Sequence, residues 1–396
     1  SNLESQADRL ADTLVPWCLG GTILTYVLTR SVVRAMAVLM VDFSCALKLS
    51  MPLAVLSAMR ECSACKITVK GGRFLESVAE ADTIVFDKTG TLTLAKPKVA
   101  GVICFSFSGH DRAQVLRYAA CLEEHFPHSV ANAIVRQAAA EGLTHDELHS
   151  KVEYIVAHGI ASHIGDERIV IGSGHFIFDD EKCIIPKGEE GLYENRPREY
   201  SHIFMALNGV LMAILCIEDP LRPEAADVVR ELRRAGFRRL VMMTGDSRRT
   251  ACAVAEKLGL DQYYAEVLPE EKARFVKKVK AAGHRVVMVG DGINDSPALS
   301  EADAGIAIAE GADIAREIAD ITISARDLHQ LIVLKRLSNS LMHRVHFNFD
   351  FVVSFNTLLI ALGVTGILPP ATTALLHNGS TIALSLHSMM DLLPAE

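Results

Sequence analysis

Apolar residues run almost unbroken in four places, two near each end of the 396-residue chain. Residues 14–29 and 35–59 form the first pair, and 351–368 and 371–390 the second. Each approaches the ~20 residues a helix needs to cross a hydrocarbon core. Two such hairpins around one long polar stretch predict two transmembrane helix pairs flanking a large loop. Inside the loop the pattern changes. Residues 82–86, 240–243, 286–289 and 305–308 are short β-like runs, and helical patterns at 222–235, 249–258 and 269–282 separate the later ones. This alternation predicts a doubly wound parallel sheet with crossover helices. Its site belongs in the polar loops after the strands. Residues 98–214 break the rhythm with a helix-rich start and Gly-punctuated short strands, and read as an inserted α+β domain. The expected organisation is a membrane helix pair at 1–59, the α/β domain at 60–97 and 215–340, its insert at 98–214, and a second helix pair at 341–396.

Charge orients this plan. Arg60, Lys66, Lys70, Arg73, Lys335, Arg336 and Arg344 flank the loop, whereas the opposite turns carry only Arg30 and Arg34. The excess predicts a cytoplasmic loop in a multi-pass membrane protein. A net charge of −8 argues against a nucleic-acid partner. Nine cysteines with one C-x-x-C, Cys62 and Cys65, are too sparse for a disulfide scaffold and suit a reducing compartment. The opening residues are not expected to be a signal peptide, because a helix-like lead-in runs straight into the first apolar stretch. The expectation is a piece of a longer polypeptide.

The candidate chemistry is concentrated in Asp87-Lys88-Thr89-Gly90-Thr91-Leu92-Thr93, directly after a buried β-run. An aspartate at the carboxyl end of a strand can attack a phosphoryl group and become an aspartyl phosphate. Thr91 and the backbone amides of the Gly90 turn can hold phosphate oxygens. Three more strings follow in order: Asp219-Pro220-Leu221-Arg222-Pro223, Thr244-Gly245-Asp246 and Gly290-Asp291-Gly292-Ile293-Asn294-Asp295. Together they resemble the phosphorylation signatures of P-type ATPases, within the haloacid dehalogenase superfamily.

The resemblance implies roles residue by residue. Asp87 is the nucleophile. Asp87, Asp291 and the backbone oxygen of Thr89 hold Mg²⁺. Thr244 contacts phosphate beside Gly245 and Asp246, Lys272 balances phosphate charge, and Asn294 and Asp295 line the same pocket. Superfamily phosphatases place a second aspartate two residues after the nucleophile as general acid/base; here that position is Thr89. The aspartyl phosphate is therefore expected to persist, as a pump requires. There is no Walker loop for ATP. Instead, Glu124-His125-Phe126-Pro127-His128-Ser129-Val130-Ala131 is similar to the His-Pro nucleotide-binding helix of metal-transporting P-type ATPases, with His128 at the adenine-contacting position. Gly159 matches one glycine of the family's G-x-G pair, Gly172 and Gly174 match its later turn glycines, and the resemblance implies that all three help bind the nucleotide.

The same helix, the small insert and two spans after the loop resemble the heavy-metal class. Its Cys-Pro-Cys-like triplet corresponds here to Phe43-Ser44-Cys45, so the middle proline is absent. Cys45, Asp42, Asn356, His377 and Thr381 are the candidate ligands of the transported ion. That donor set suits Zn, Co, Ni or Fe(II) better than Cu(I). The implied activity is ATP-driven metal efflux across a prokaryotic plasma membrane. The actuator-domain signature Thr-Gly-Glu-Ser and the earlier spans are not in the chain. A soluble phosphatase of the same superfamily and a non-pumping metal- or nucleotide-binding module remain the alternatives.

Overall fold

A computed structural model describes residues 2–124, 128–143, 153–155, 159–164, 167–291, 295–309, 317–324 and 327–393. In chain order the elements are α1 (Asn2–Thr29), α2 (Val32–Leu39), α3 (Phe43–Ala64), β1 (Thr68–Val69), α4 (Gly72–Glu80), β2 (Thr83–Asp87), β3 (Lys98–Cys104), α5 (Arg112–Glu123), α6 (Ser129–Ala140), β4 (Glu153–Ile155), β5 (Gly159–Ile164), β6 (Glu167–Gly172) and α7 (Glu190–Glu194). They continue with β7 (Ser201–Leu207), β8 (Val210–Glu218), α8 (Ala225–Arg234), β9 (Arg239–Met243), α9 (Arg248–Leu258), β10 (Gln262–Tyr264), α10 (Pro269–Ala281), β11 (Val286–Gly290), α11 (Ser296–Glu301), β12 (Ala304–Ala309), β13 (Ile321–Ser324), α12 (His329–Thr365) and α13 (Pro370–Met389). Two compact units result. One comprises Ser1–Val85, Asp227–Leu240 and Pro269–Glu396; the other comprises Phe86–Ala226 and Val241–Leu268.

The α/β strands form one sheet in the order β1-β13-β12-β11-β2-β9-β10. The pairs β9–β10, β11–β12 and β12–β13 are parallel. Every residue of β2 is buried, as expected of a strand covered on both faces. The sheet is not wholly parallel, in contrast to the sequence-based expectation. The two-residue β1 closes one edge antiparallel to β13, and a strand that short leaves no periodicity to read.

The insert is an antiparallel sheet in the order β3-β8-β7-β6-β5-β4. Its two faces follow the period of two. Ile160, Ile169, Ile171 and Met205 pack under Leu116, Leu122 and Ile134 of α5 and α6. Ala161, Val170, Phe204 and Ala206 meet Phe105, Phe176 and Ile177 on the other side. Strand β8 runs on to Glu218, so the sheet extends past residue 214.

The apolar stretch at 35–59 is not one helix. It breaks at Met40 and Val41, between α2 and α3. Asp42 causes the restart, because its carboxylate accepts the Ser44 amide at 2.8 Å as the N-cap of α3. The first helix pair is thus α1 followed by a discontinuous helix. At the other end, α12 stops at Gly366, whose φ of 81° supplies the left-handed cap, and Pro370 starts α13. Among the described residues, α12 alone is long and apolar enough to cross a membrane, with a shorter apolar helical stretch at Val15–Thr29. Thr372, Thr373, His377, Asn378, Ser380 and Thr381 dilute α13. Large apolar side chains nevertheless face outward on α1 and α13, among them Leu28, Leu375 and Ile382.

The α/β part grips the base of α12 through a buried lysine. Lys335 Nζ donates to the carbonyls of Val78, Ala79 and Ala81 at 2.8, 2.9 and 3.1 Å, where α4 ends and its last carbonyls lack helical donors. Burial pushes the Lys335 amine down to about 8, against the pull of Asp82. Replacing Lys335 with Met strips these acceptors of their donor. It should lower unfolding stability by about 1–3 kcal/mol in chemical denaturation. An unchanged midpoint would show that the clamp contributes nothing.

Candidate active site and ion path

The nucleophile candidate sits where β2 becomes a tight turn. Asp87 is 7% exposed at the strand end. Gly90 has φ 75°, a left-handed conformation that glycine adopts at no steric cost, and its amide donates to the Thr93 hydroxyl at 3.1 Å. Thr91 is fully buried, and its hydroxyl has no hydrogen-bond partner among the described residues. A buried hydroxyl without a partner is costly, so one four residues after Asp87 fits a group that takes a phosphoryl oxygen.

The turn is fastened from below by residues 219–222. Thr93 donates to Asp219 at 2.6 Å. Arg222 Nε donates to the Thr91 carbonyl at 2.9 Å and its Nη2 to the Gly90 carbonyl at 3.3 Å. Burial raises the Asp219 carboxyl, although Thr93 and Lys88 oppose the shift. The motif is visible in the sequence but the roles of Asp219, Arg222 and Thr93 are not, because the contacts link residues more than 120 positions apart.

In the same unit, buried Lys88 pairs with Asp246. Thr244 Oγ1 donates to Asp246 Oδ2 at 2.9 Å and accepts the Asp246 amide at 3.1 Å. The structure therefore aims the Thr244 hydroxyl at Asp246, while Gly245 is exposed between them. Burial pushes the Asp246 carboxyl up, but the Lys88 charge and hydrogen bonds from Lys88, Thr244 and Ser201 hold it below the usual carboxylate range.

The other unit carries Lys272, Asp291 and Asp295. Lys272 Nζ and Asp295 Oδ1 are 2.7 Å apart, with the two residues 6% and 1% exposed. Burial raises the Asp295 carboxyl; Lys272 opposes that shift and neighbouring Asp291 adds to it. Gly290 closes β11 directly against this carboxylate. A Cβ there would stand 2.5 Å from Asp295 Oδ2. Asn294 lies outside the described residues.

In the insert, His128 is the N-cap of α6, and its Nδ1 accepts the Ala131 amide at 3.1 Å. That bond assigns the ring proton to Nε2, which faces Glu123 Oε2 at 3.4 Å. Glu123 is 4% exposed. The contact with Glu123 raises the His128 pKa, with burial opposing it. Gly159 and Gly172 are cross-strand partners in β5 and β6. Packing explains two of the three candidate glycines. A Cβ on Gly159 would meet Phe176 at 2.3 Å and the Ile171 carbonyl at 2.6 Å, and one on Gly174 would meet Phe204 at 3.2 Å.

The candidate ion ligands form two pairs. Cys45, exposed in the first turn of α3, lies within hydrogen-bonding reach of the Asp42 carboxylate. His377 and Asn356 are buried on α13 and α12, with Nδ1 and Oδ1 3.1 Å apart. Oδ1 only accepts, so the imidazole proton sits on Nδ1 and Nε2 keeps its lone pair for a metal. Thr381 turns its hydroxyl to the His377 carbonyl at 3.0 Å. No three His, Cys, Asp or Glu side chains converge among the described residues.

The chain resembles several proteins of known activity. Residues 81–303 match the haloacid dehalogenase-like hydrolases. The chain is 34% identical to a zinc-exporting P-type ATPase of Mycobacterium marinum over 98% of its own length and 53% of the relative's. It is also 34% identical to a manganese-exporting P-type ATPase of Mycobacterium bovis, covering 98% and 54%. It thus spans about half the length of the curated relatives it matches. A zinc-transporting PIB-type ATPase crystallised in its E2.Pi state superposes with a TM-score of 0.76 at 26% identity, covering 99% of this chain and 66% of that one. The catalytic CPx-ATPase domain CopB-B gives 0.53 at 30% identity, covering 70% and 97%.

Proposed function

We propose that this chain, which belongs to the haloacid dehalogenase-like hydrolases and within them to the heavy-metal P-type ATPases, supplies the phosphorylation and ion-gating half of an ATP-driven metal pump. The observation that carries this reading is the Thr91 hydroxyl, buried four residues after a strand-end aspartate and without a hydrogen-bond partner among the described residues. It awaits an oxygen acceptor, and a γ-phosphoryl group offers one.

An Asp87 carboxylate oxygen attacks the γ-phosphorus of ATP, the bond to the bridging oxygen breaks, and ADP leaves with its electron pair. Thr91 donates to a phosphoryl oxygen, and Lys88, oriented by Asp246, offers positive charge beside Asp87. Lys272, held by Asp295, adds charge balance, as the resemblance implies. Oxygen donors at Asp87, the Thr89 carbonyl and Asp291, as the resemblance implies, would hold Mg²⁺, which would supply further neutralisation when bound. Thr89 brings no carboxylate to activate water, so the acyl phosphate lasts long enough to drive a conformational step. His128, with its proton placed on Nε2 by the α6 cap, receives the adenine. A further N-terminal region then directs water to the phosphoenzyme.

The ion crosses near the break between α2 and α3. The thiol of Cys45 and Nε2 of His377 are the principal donors, and Asn356 fixes the imidazole. A divalent transition metal such as Zn, Co, Ni or Fe(II) suits imidazole, thiolate and oxygen better than Cu(I) does. The relatives' export names support metal efflux; the choice of a divalent ion rests on the donor set. The α1–α3 and α12–α13 groups cross a prokaryotic plasma membrane as a multi-pass assembly, with the α/β part and insert in the cytoplasm.

The test is phosphorylation of the full-length polypeptide from γ-labelled ATP across a panel of divalent ions. One ion should stimulate labelling by about tenfold or more. Cys45→Ala and His377→Ala should each abolish that stimulation while nucleotide affinity stays within about twofold, a tenfold change corresponding to 1.4 kcal/mol. Stimulation that survives both substitutions removes these residues from the ion path.

A further inference from the structure

Ser201 opens β7 in the insert's sheet, and its hydroxyl donates to Asp246 Oδ1 at 3.0 Å. The other oxygen of that carboxylate holds Lys88 and Thr244. All four residues lie within one packed unit. The strand that brings Ser201 there is itself tied down. Arg249, at the start of α9, donates to the carbonyls of Glu194 and Arg196 at 3.1 and 2.7 Å. The Thr250 hydroxyl donates to the Tyr200 carbonyl at 3.0 Å. Arg196 lies over the Tyr193 ring, 4.0 Å from its centroid, so the chain is tied at several points just before Ser201.

Terminal carboxylate torsions are soft, with broad wells in place of sharp staggered minima. A carboxylate held at only one oxygen can therefore swing. Asp246 is held at both, by the lysine and threonine on one side and the serine on the other. The Asp246 side chain keeps 21% of its surface exposed, so solvent is available to receive it if one hold is lost; the Lys88 side chain keeps 5% and has no such outlet.

We propose that Ser201 is a positioning residue for phosphoryl transfer: it arrives with the sheet of the nucleotide-binding insert and locks the Asp246 carboxylate, so that Lys88 stands fixed beside Asp87. This rests on the reading above, in which Asp87 is phosphorylated and the insert carries ATP. Charge placed for a transition state loses most of its effect when displaced by about 1 Å, a loss of order 10²-fold in rate. The serine touches neither nucleotide nor phosphoryl group in this scheme. Its loss should slow the chemical step and leave binding alone.

Rapid-quench labelling of the full-length polypeptide with γ-labelled ATP tests this. Ser201→Ala should lower the labelling rate at saturating ATP by about tenfold to 10²-fold, with the ATP concentration for half-maximal rate within about twofold of wild type. Ser201→Thr, which keeps the hydroxyl, should restore most of the rate. If the alanine variant does not fold, Ser201→Cys keeps the volume with a weak donor and should give the same slowing. Wild-type labelling separates the two layers of the argument. If the unaltered protein takes no label at Asp87, the phosphorylation reading fails. If it does and the alanine or cysteine variant labels equally fast, or if the threonine variant is as slow as alanine, the role of Ser201 is overturned.

Discussion

Replacing Asp87 with Asn should lower ATP turnover of the full-length polypeptide by about 10⁴- to 10⁶-fold, the scale seen when a catalytic nucleophile is removed. The amide matches the carboxylate in shape and fits the same strand end, where every β2 side chain is buried. It cannot form the mixed anhydride, so no alternative route replaces the lost one. Nucleotide affinity should stay near wild type, because His128 and Glu123 lie at the α5–α6 corner of the insert. Steady-state phosphate release measures the first quantity, and titration with a non-hydrolysable ATP analogue the second. A variant keeping more than about one per cent of wild-type turnover would place the nucleophile elsewhere, since a loss of only 10²-fold is the scale of a displaced group.

Replacing Lys272 with Met has a double effect. Lys272 and Asp295 form a 2.7 Å ion pair, with side chains 8% and 1% exposed. Removing one partner of a buried pair costs about 3–5 kcal/mol, because the other charge is left without compensation. Asp295 then takes up a proton more readily, since burial and Asp291 already raise it and Lys272 is what opposes them. The single variant should lose stability and should also lose phosphorylation. Adding Asp295→Asn removes the uncompensated charge and should restore much of the stability. It should not restore phosphorylation, because the positive charge meant for the phosphoryl group is still missing. Denaturant unfolding and labelling of both variants separate the two effects. Activity that returns together with stability would reduce Lys272 to a structural role.

The strand-end aspartate and the strands around it were legible because each signal is local. The runs at 82–86, 240–243, 286–289 and 305–308 fall within β2, β9, β11 and β12 or one residue outside them. The family strings lie at the ends of three of these strands, where a doubly wound sheet keeps its loops. What could not be read was set by contacts distant in sequence, or by local competition that hydropathy does not weigh. The break before α3 depends on one carboxylate capping one amide, Asp42 to Ser44, inside a stretch whose average is apolar throughout. The triplet lacks the proline that would itself break a helix, yet the Asp42 cap places a break three residues before Cys45. Gly159 is legible in the sequence only as a family glycine, whereas its packing demand comes from Phe176, a neighbour that only the folded sheet supplies. Arg222 and Ser201 were invisible as site residues because their partners, the Gly90 turn and Asp246, come near only through the sheet.

The most direct measurement is the chemical identity of the phosphorylated residue. The full-length polypeptide is incubated with γ-labelled ATP, quenched in acid and digested, and the labelled peptide is sequenced. The label should sit on the peptide containing Asp87, survive acid and be released by hydroxylamine, as an acyl phosphate is. Label on a serine or threonine that hydroxylamine leaves in place, or no label on that peptide, would contradict the account.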